Sequence, residues 1–226
     1  GFRFERGSVR VVAVALAVVA GLAWTSSCSR GASEQSIRQA LFDELQPVAL
    51  ENCILDRMGG ENDTGYLMCK NLLEGLEVAY SYGVEGNDDW GCDISTRYKI
   101  AVREYDCSNP PRPSCPDGKF EFHDQCAGDR PKNVESRWYD TLETQLRSNG
   151  DLEKKFVVKM DVEGGEWEAL MATPDEVLAR IEQIPMEFHG VNEQRFLDVI
   201  RKMKRTFYIA NLHFNNYSCT GDAAPL

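Results

Sequence analysis

The stretch FVVKMDVEGGEWEAL, residues 156–170, carries the clearest structural signal in the chain. Phe156–Val158 are apolar residues of the type that a buried strand requires, and Gly164–Gly165 allows a sharp turn into a helix. In an open α/β sheet, ligands bind beyond the carboxyl ends of the strands, where this spacing places Asp161 and Glu163. A solvated acidic loop that caps a helix is the alternative interpretation. The stretch therefore predicts a strand, a turn and a helix, with a candidate site at the turn.

Strand and helix patterns alternate along the rest of the chain. The predicted strands are residues 77–82, 99–105, 119–123, 155–160, 183–188 and 206–213. The predicted helices are residues 94–98, 139–149, 193–204 and a segment after Pro174. Such alternation indicates parallel strands joined by crossover helices. We therefore expect an α/β fold in which residues 76–226 form a doubly wound, mostly parallel, Rossmann-like sheet.

The region before this sheet has a helical pattern. Apolar residues recur at helical spacing from Ile37 to Val48, and Pro47 interrupts the pattern. We expect residues 31–75 to form an N-terminal helical cap.

The first 30 residues resemble a signal peptide or a signal anchor. Three arginines precede an unbroken run of apolar and small residues, Val11–Trp24, which is short for a bilayer span. Cleavage is expected within 23–32, although no clean A-x-A site occurs there. A buried hydrophobic helix is the alternative. We therefore expect residues 1–30 to lie outside the fold, and the protein to be secreted or membrane-anchored in the secretory pathway or cell envelope.

Cysteine usage is consistent with export. The eight cysteines are at positions 28, 53, 69, 92, 107, 115, 126 and 219. They form no C-x-x-C pair and join no histidine at zinc spacing, so we expect no metal site. Cys107 with Cys115, or Cys53 with Cys69, would make plausible short disulfides in an oxidising compartment, although sequence alone does not fix the connectivity. Small buried cysteines of a cytosolic enzyme are the alternative.

The charge of the chain excludes one class of partner. The net charge is -11 and the isoelectric point is about 4.8, and no stretch supplies the basic face that phosphate backbones require. We therefore expect no nucleic-acid partner.

Three segments carry a resemblance to a known family. Lys159–Glu166 reads KMDVEGGE and resembles the K-[IM]-D-[VI]-E-G-x-E signature of the FkbM-type S-adenosylmethionine-dependent methyltransferases. Tyr80–Trp90, followed by Asp93, is similar to the first cofactor-binding loop in a branch of that family. Asn211–Tyr217 is similar to the family's closing strand. The three segments occur in the family's order and span most of residues 76–219.

The resemblance implies S-adenosylmethionine as the cofactor, and a closing strand pair that departs from parallel order. A strand that ends in a glycine loop lets the backbone approach a ligand. An acid at the end of the next strand can accept hydrogen bonds from both ribose hydroxyls. Gly83 and Asp106 suit these roles at a spacing near the roughly 20 residues of nucleotide-binding units. The expected cofactor-binding residues are Tyr82, Gly83, Asp106, Asp124 and Asp161, with Asp129 as an alternative to Asp124 at the adenine.

The glycine loop departs from a full G-x-G-x-x-G motif. It has only Gly83 and Gly86, and Glu85, Asp88 and Asp89 crowd it with negative charge. Phosphate binding is therefore disfavoured, whereas a positive sulfonium suits such a loop. An ordinary Gly-Asn-Asp turn is the alternative interpretation.

Methyl transfer to oxygen requires mainly positioning and the removal of one proton. His189, at the end of a predicted strand, is the first candidate base, and a structural role as a hydrogen-bonding residue is its alternative. Asp161, Glu163 and His213 are further candidates.

The sequence therefore predicts a methyltransferase that uses S-adenosylmethionine, acting on a hydroxyl of a small molecule or glycan. A catalytically silent binding protein with the same fold is the first alternative. A nicotinamide-dependent oxidoreductase is a weaker one, because the third glycine is missing from the loop.

Overall fold

The computed structural model describes residues 10–17, 28–61, 64–190 and 192–215. The predicted cleavage region up to residue 27, the end of the closing-strand segment from residue 216, and Cys219 lie outside the described residues.

Strands and helices alternate through most of the described chain. The strands are β1 (Val11–Ala17), β2 (Leu55–Gly59), β3 (Gly65–Cys69), β4 (Val78–Tyr82), β5 (Ala101–Tyr105), β6 (Lys119–His123), β7 (Cys126–Ala127), β8 (Lys132–Val134), β9 (Arg137–Asp140), β10 (Phe156–Met160), β11 (Gln183–His189) and β12 (Tyr208–Asn215). The α-helices are α1 (Cys28–Glu44), α2 (Asp89–Tyr98), α3 (Leu142–Ser148), α4 (Glu166–Ala172), α5 (Asp175–Leu178) and α6 (Gln194–Met203), and Lys70–Leu72 is a short 3-10 helix.

Seven strands form one sheet in the spatial order β12-β1-β11-β10-β4-β5-β6. Every neighbouring pair in it is parallel. The chain runs outward from β4 through β5 to β6, then returns to β10 on the other side of β4 and continues to β11. The strand order therefore reverses between β4 and β10, where α/β proteins of this kind bind ligands.

The two central strands are buried on both faces. All five residues of β4 and all five of β10 are buried, as expected for a parallel sheet with helices on both sides. On one face, Ala79 and Val157 pack in a cluster with Trp90 of α2 and with the β2–β3 hairpin. On the other face, Tyr80 and Val158 belong to a cluster that includes α3, α4 and α6. The fold is α/β, with a parallel sheet flanked by helices, consistent with the predicted Rossmann-like architecture.

The boundaries of the sheet strands agree with the sequence analysis. The predicted strands at 77–82, 99–105, 119–123, 155–160 and 183–188 correspond to β4, β5, β6, β10 and β11. The predicted departure from parallel order is wrong for the described strands, because the last strand, β12, pairs in parallel with β1.

The apolar N-terminal segment lies partly inside the fold. Val11–Ala17 forms β1, which pairs with β11 on one side and with β12 on the other, and Val11 is buried. The expectation that residues 1–30 lie wholly outside the fold is therefore wrong for β1. An unbroken apolar run is typical both of a signal-peptide core and of a buried parallel strand, so the pattern alone does not separate them. Cleavage of the segment stays a prediction.

The predicted helical cap is not confirmed. Helix α1 covers part of the predicted range, and Leu41 and Leu45 are buried in the main cluster. The chain then forms the antiparallel β2–β3 hairpin, which packs on α2. Short polar strands such as Leu55–Gly59 carry too little apolar periodicity for a sequence-based prediction.

Three disulfides link the described residues. Cys53–Cys69 forms as predicted. The predicted Cys107–Cys115 bridge is wrong, because Cys115 pairs with Cys92 and Cys107 pairs with Cys126. The loop between β5 and β6 contains four prolines within residues 110–116 and folds back against α2. The amide of Lys119, at its end, donates to Ser95 Oγ of the helix, and Cys115 lies beside Cys92. Three disulfides indicate an oxidising environment.

In the ranges that the structure describes, the helices are all too short or too polar to cross a membrane.

Candidate functional site

A cavity of about 410 Å³ opens at the switch point between β4 and β10. Its volume falls within the range of small-molecule sites, roughly 300–1,000 Å³. Fourteen residues line it: Thr64, Tyr66, Gly83, Val84, Glu85, Asn87, Asp88, Asp89, Trp90, Lys159, Asp161, Glu163, Glu187 and His189. Six of these carry carboxylates, whereas Lys159 and His189 supply the only basic side chains of the lining. The cavity is therefore suited to a positively charged ligand.

The turn after β4 forms the floor of the cavity and depends on glycine. Gly83 has φ of 75°, and a β carbon at this position would collide with the carbonyl oxygen of Asp161. Backbone bonds hold the turn, since the amide of Gly83 donates to Tyr105 O at 2.9 Å and the amide of Asp161 donates to Tyr82 O at 3.1 Å. The close approach of the two strand ends brings Gly83 and Asp161, two of the expected cofactor-binding residues, to the same wall of the cavity.

Asp106 holds this turn through its side chain. Its Oδ2 accepts from the amides of Val84 and Glu85 at 3.0 and 3.1 Å, and its Oδ1 accepts from the amide and hydroxyl of Ser108. Burial alone would raise the pKa of Asp106, but these hydrogen bonds outweigh it and hold the pKa below its usual range. The carboxylate is buried and does not line the cavity.

Two other predicted cofactor-binding residues also point elsewhere. The Tyr82 side chain lies in the core, where its hydroxyl donates to Gln145 Oε1 at 2.9 Å. Asp124 is exposed after β6 and, like Asp129, is not among the lining residues. The structure therefore brings Gly83 and Asp161 to the cavity, but not the side chains of Tyr82, Asp106 or Asp124.

Asp161 lies between two donors at the end of β10. The Tyr66 hydroxyl donates to Asp161 Oδ2 at 3.3 Å, and Lys159 Nζ lies 3.6 Å from the same oxygen. Lys159 is buried and also donates to the carbonyl oxygens of Tyr82 and Gly83. These contacts leave Asp161 Oδ1 facing His189, whose Nε2 is 3.9 Å away.

His189 ends β11 and is held by a buried acid. Glu166, which is fully buried at the start of α4, accepts at Oε1 from the His189 amide at 2.8 Å, and the same oxygen lies 3.0 Å from His189 Nδ1. Its other oxygen, Oε2, accepts from the amide of Gly164 at 2.9 Å. The imidazole is thereby oriented with Nε2 toward Asp161 and toward Glu163, whose Oε2 is 3.5 Å away.

The carboxylates around His189 set its charge. Burial alone would lower the pKa of the ring, but the hydrogen bond to Glu166 and the negative charges of Glu166, Glu163 and Asp161 raise the pKa to about 9. The imidazole therefore carries a positive charge at neutral pH when the cavity holds no other cation. The three candidate catalytic residues, His189, Asp161 and Glu163, meet as the sequence predicts.

Two buried acids, Asp88 of the cavity lining and Glu104 outside it, influence each other's charge. Asp88 caps α2, with Oδ1 accepting from the amide of Gly91 at 2.7 Å. Burial raises the pKa of Asp88. Glu104 on β5 is 1% exposed, and neither of its carboxylate oxygens has a described partner. Burial, together with the charge of Asp88, raises the pKa of Glu104 to about 8.

Sequence reasoning missed three residues that shape the site. Tyr66 lies on the hairpin that was expected to be helical, so no local pattern connects it with Asp161. The role of Glu166 had a signal, since an acid in the first turn of a helix after two glycines is placed to bond nearby amides. Glu187 alternates with core residues of β11, and a carboxylate within an apolar strand marks a site.

A scan against protein-family models, a search of curated proteins and a search of solved structures each found no match to this chain.

Proposed function

We propose that this protein is an S-adenosylmethionine-dependent methyltransferase that acts on a hydroxyl group of a small molecule or glycan. The observation that carries the proposal is the cavity at the switch point, formed by a glycine turn and six carboxylates. S-adenosylmethionine carries a sulfonium and an ammonium against one carboxylate and has no phosphate, so its charge complements that of the wall. The resemblance of residues 159–166 to the FkbM signature supports the same cofactor.

The position of the cavity also supports this function. It lies at the carboxyl ends of β4 and β10, where a glycine turn lets a ligand approach the backbone. A dinucleotide would bring a pyrophosphate against Glu85, Asp88 and Asp89, and like charges this close repel. A nicotinamide cofactor is therefore disfavoured.

The cluster of Asp161, Glu163 and His189 provides the proton acceptor in this proposal. A bound sulfonium adds a positive charge to the cavity, and a nearby positive charge lowers the pKa of an imidazolium. Cofactor binding would therefore move the pKa of His189 from about 9 toward neutrality, which suits a general base. Methyl transfer then needs only the in-line placement of the acceptor oxygen.

Calorimetric titration of the full chain, with its disulfides formed, tests the cofactor. We expect S-adenosylmethionine to bind more tightly than its demethylated product, which lacks the sulfonium charge, and NAD to bind weakly or not at all. Added salt should weaken binding of the positively charged cofactor more than binding of the neutral product.

Asp161→Asn should reduce the preference for the sulfonium cofactor, because it removes one negative charge from the wall. Glu153→Gln is the matched control, since Glu153 is 76% exposed and pairs with Arg180 outside the cavity. A folded protein that binds neither nucleoside, or that binds NAD in preference, would refute the proposal and favour a silent binding protein or an oxidoreductase, respectively.

A further inference from the structure

Three side chains from two strand ends direct ligand atoms at one point of the cavity. Asp161, Glu163 and His189 each offer one ligand atom, and the three atoms lie within 4.8 Å of one another. His189 Nε2 is 3.5 Å from Glu163 Oε2 and 3.9 Å from Asp161 Oδ1. Ligand distances of about 2.0–2.2 Å to a metal imply separations of about 3.0–3.5 Å between neighbouring ligand atoms. The two nitrogen–oxygen distances lie in that range or within a few tenths of an ångström of it.

The contacts around the cluster orient these atoms. Tyr66 and Lys159 approach Asp161 Oδ2, which leaves Oδ1 on the side of the imidazole. The buried Glu166 carboxylate accepts a hydrogen bond from His189 Nδ1–H, and Nε2 is then the atom that faces the two acids. A carboxylate behind a histidine is the usual support of a metal-ligating imidazole, because it fixes the tautomer and the ring orientation.

The rest of the cavity lining also favours a cation. Besides Asp161 and Glu163, four carboxylates line the same cavity, against one lysine, Lys159: Glu85, Asp88, Asp89 and Glu187. A wall with this excess of negative side chains attracts positive charge.

We propose that Asp161, Glu163 and His189 bind a divalent transition-metal cation, with open coordination positions toward the cavity. The expected absence of a metal site rested on cysteine and histidine spacing, which does not detect ligands that come from two separate strand ends. One imidazole and two carboxylates, with no thiolate, suit Mn²⁺, Fe²⁺ or Zn²⁺ better than Mg²⁺ or Ca²⁺.

This inference goes beyond the proposed function and does not depend on it. With the cation bound, His189 is a ligand instead of the proton acceptor, and the open positions can hold hydroxyl oxygens of an acceptor molecule. A cation lowers the pKa of an oxygen bound to it, so the hydroxyl would release its proton more readily to solvent water.

Titration of the full, disulfide-bonded chain with Mn²⁺ in the absence of any nucleoside tests the site, with calorimetry for affinity and electron paramagnetic resonance for free Mn²⁺. We expect one bound ion per chain and weaker binding of Mg²⁺. Glu163→Gln should weaken Mn²⁺ binding at least tenfold, and its side chain is 71% exposed, so the fold should tolerate the change. Glu166→Gln should weaken binding by about 10–100-fold, as expected for a residue that positions a ligand.

Glu168→Gln is the matched control. It also removes one negative charge, at an exposed position of α4, the helix that begins at Glu166, where Glu168 pairs with Lys132. It should leave Mn²⁺ affinity unchanged. Absence of Mn²⁺ binding to the folded chain, equal affinity for Mn²⁺ and Mg²⁺, or an equal loss in Glu163→Gln and Glu168→Gln would overturn the inference. Because no nucleoside is present, none of these outcomes bears on the cofactor proposal.

Discussion

The carbonyl oxygen of Asp161 occupies the space that a β carbon on residue 83 would need, so Gly83 and Asp161 can lie on one wall only while residue 83 is glycine. Gly83→Ala should therefore destabilise the protein by more than the cost of placing alanine at a positive φ, because the clash with Asp161 adds to that cost. Gly75 provides a matched control, because it also has φ of 75° but has nothing within 4 Å of its β-carbon position. We expect Gly75→Ala to lower the free energy of unfolding by about 1–2 kcal/mol, and Gly83→Ala to lower it further. Equal losses in urea-induced unfolding would contradict the steric argument.

Asp106 should contribute to stability as well as to ligand binding. Asp106→Ala removes the acceptor for the amides of Val84, Glu85 and Ser108, so we expect a loss of about 1–3 kcal/mol in the free energy of unfolding. Binding of S-adenosylmethionine should weaken because the turn loosens. Asp117→Ala, at an exposed position away from the cavity lining, is the control and should change neither quantity. An unaltered unfolding midpoint in Asp106→Ala would show that the turn does not need this carboxylate.

Glu104 should make the protein less stable as the pH rises. The pKa of a glutamate in an unfolded chain is about 4.3, and the folded protein raises it to about 8. Between these values the folded state keeps a proton that the unfolded state has lost, so the free energy of unfolding falls with rising pH and levels off above about 8. Glu104→Gln should reduce this slope and raise stability at pH 8.

Urea unfolding at pH 5, 6, 7 and 8 measures the slope for the native chain, Glu104→Gln and the exposed control Glu153→Gln. If the Glu104→Gln slope matches that of the native chain, Glu104 is ionised in the folded state.

The disulfide pattern gives a prediction that does not depend on function. Peptide mapping of the non-reduced protein should recover Cys92 linked to Cys115 and Cys107 linked to Cys126. Replacing both Cys92 and Cys115 with serine should lower the free energy of unfolding by about 3 kcal/mol, the value expected for a loop of this length. Recovery of a Cys107–Cys115 peptide would instead support the pairing expected from sequence spacing.

The central strands could be predicted because their physical signals are local. Phe156–Met160 and Val78–Tyr82 are short apolar runs, each ending near a glycine, and burial on both faces of a parallel sheet requires that pattern. The meeting of Asp161 and His189 followed from the same reasoning, since both end strands at one edge of the sheet. The turn at Gly83 was also predictable, because a glycine directly after an apolar run is a local signal.

The remaining features depend on contacts that no local pattern encodes. The β7–β9 strands are two to four residues long and mix polar with apolar residues, and β9 overlaps the start of the predicted helix 139–149. Tyr66 reaches Asp161 across 95 residues of chain, and Asp106 turns to the backbone of the preceding loop instead of the cavity. Side-chain direction and long-range pairing of this kind are set by tertiary packing.

Strand β1 lies between β11 and β12, so the pairing at this side of the sheet requires residues 11–17 to remain part of the chain. If proteolysis removed the segment, the two neighbouring strands would face each other across a gap of about 9–10 Å, the width of one missing strand. Each would then present a row of unsatisfied amides and carbonyls, a surface on which an extended peptide or a second chain can add as a strand. Signal-peptide cleavage in this protein would therefore be a structural event that opens a strand-sized slot beside the candidate site.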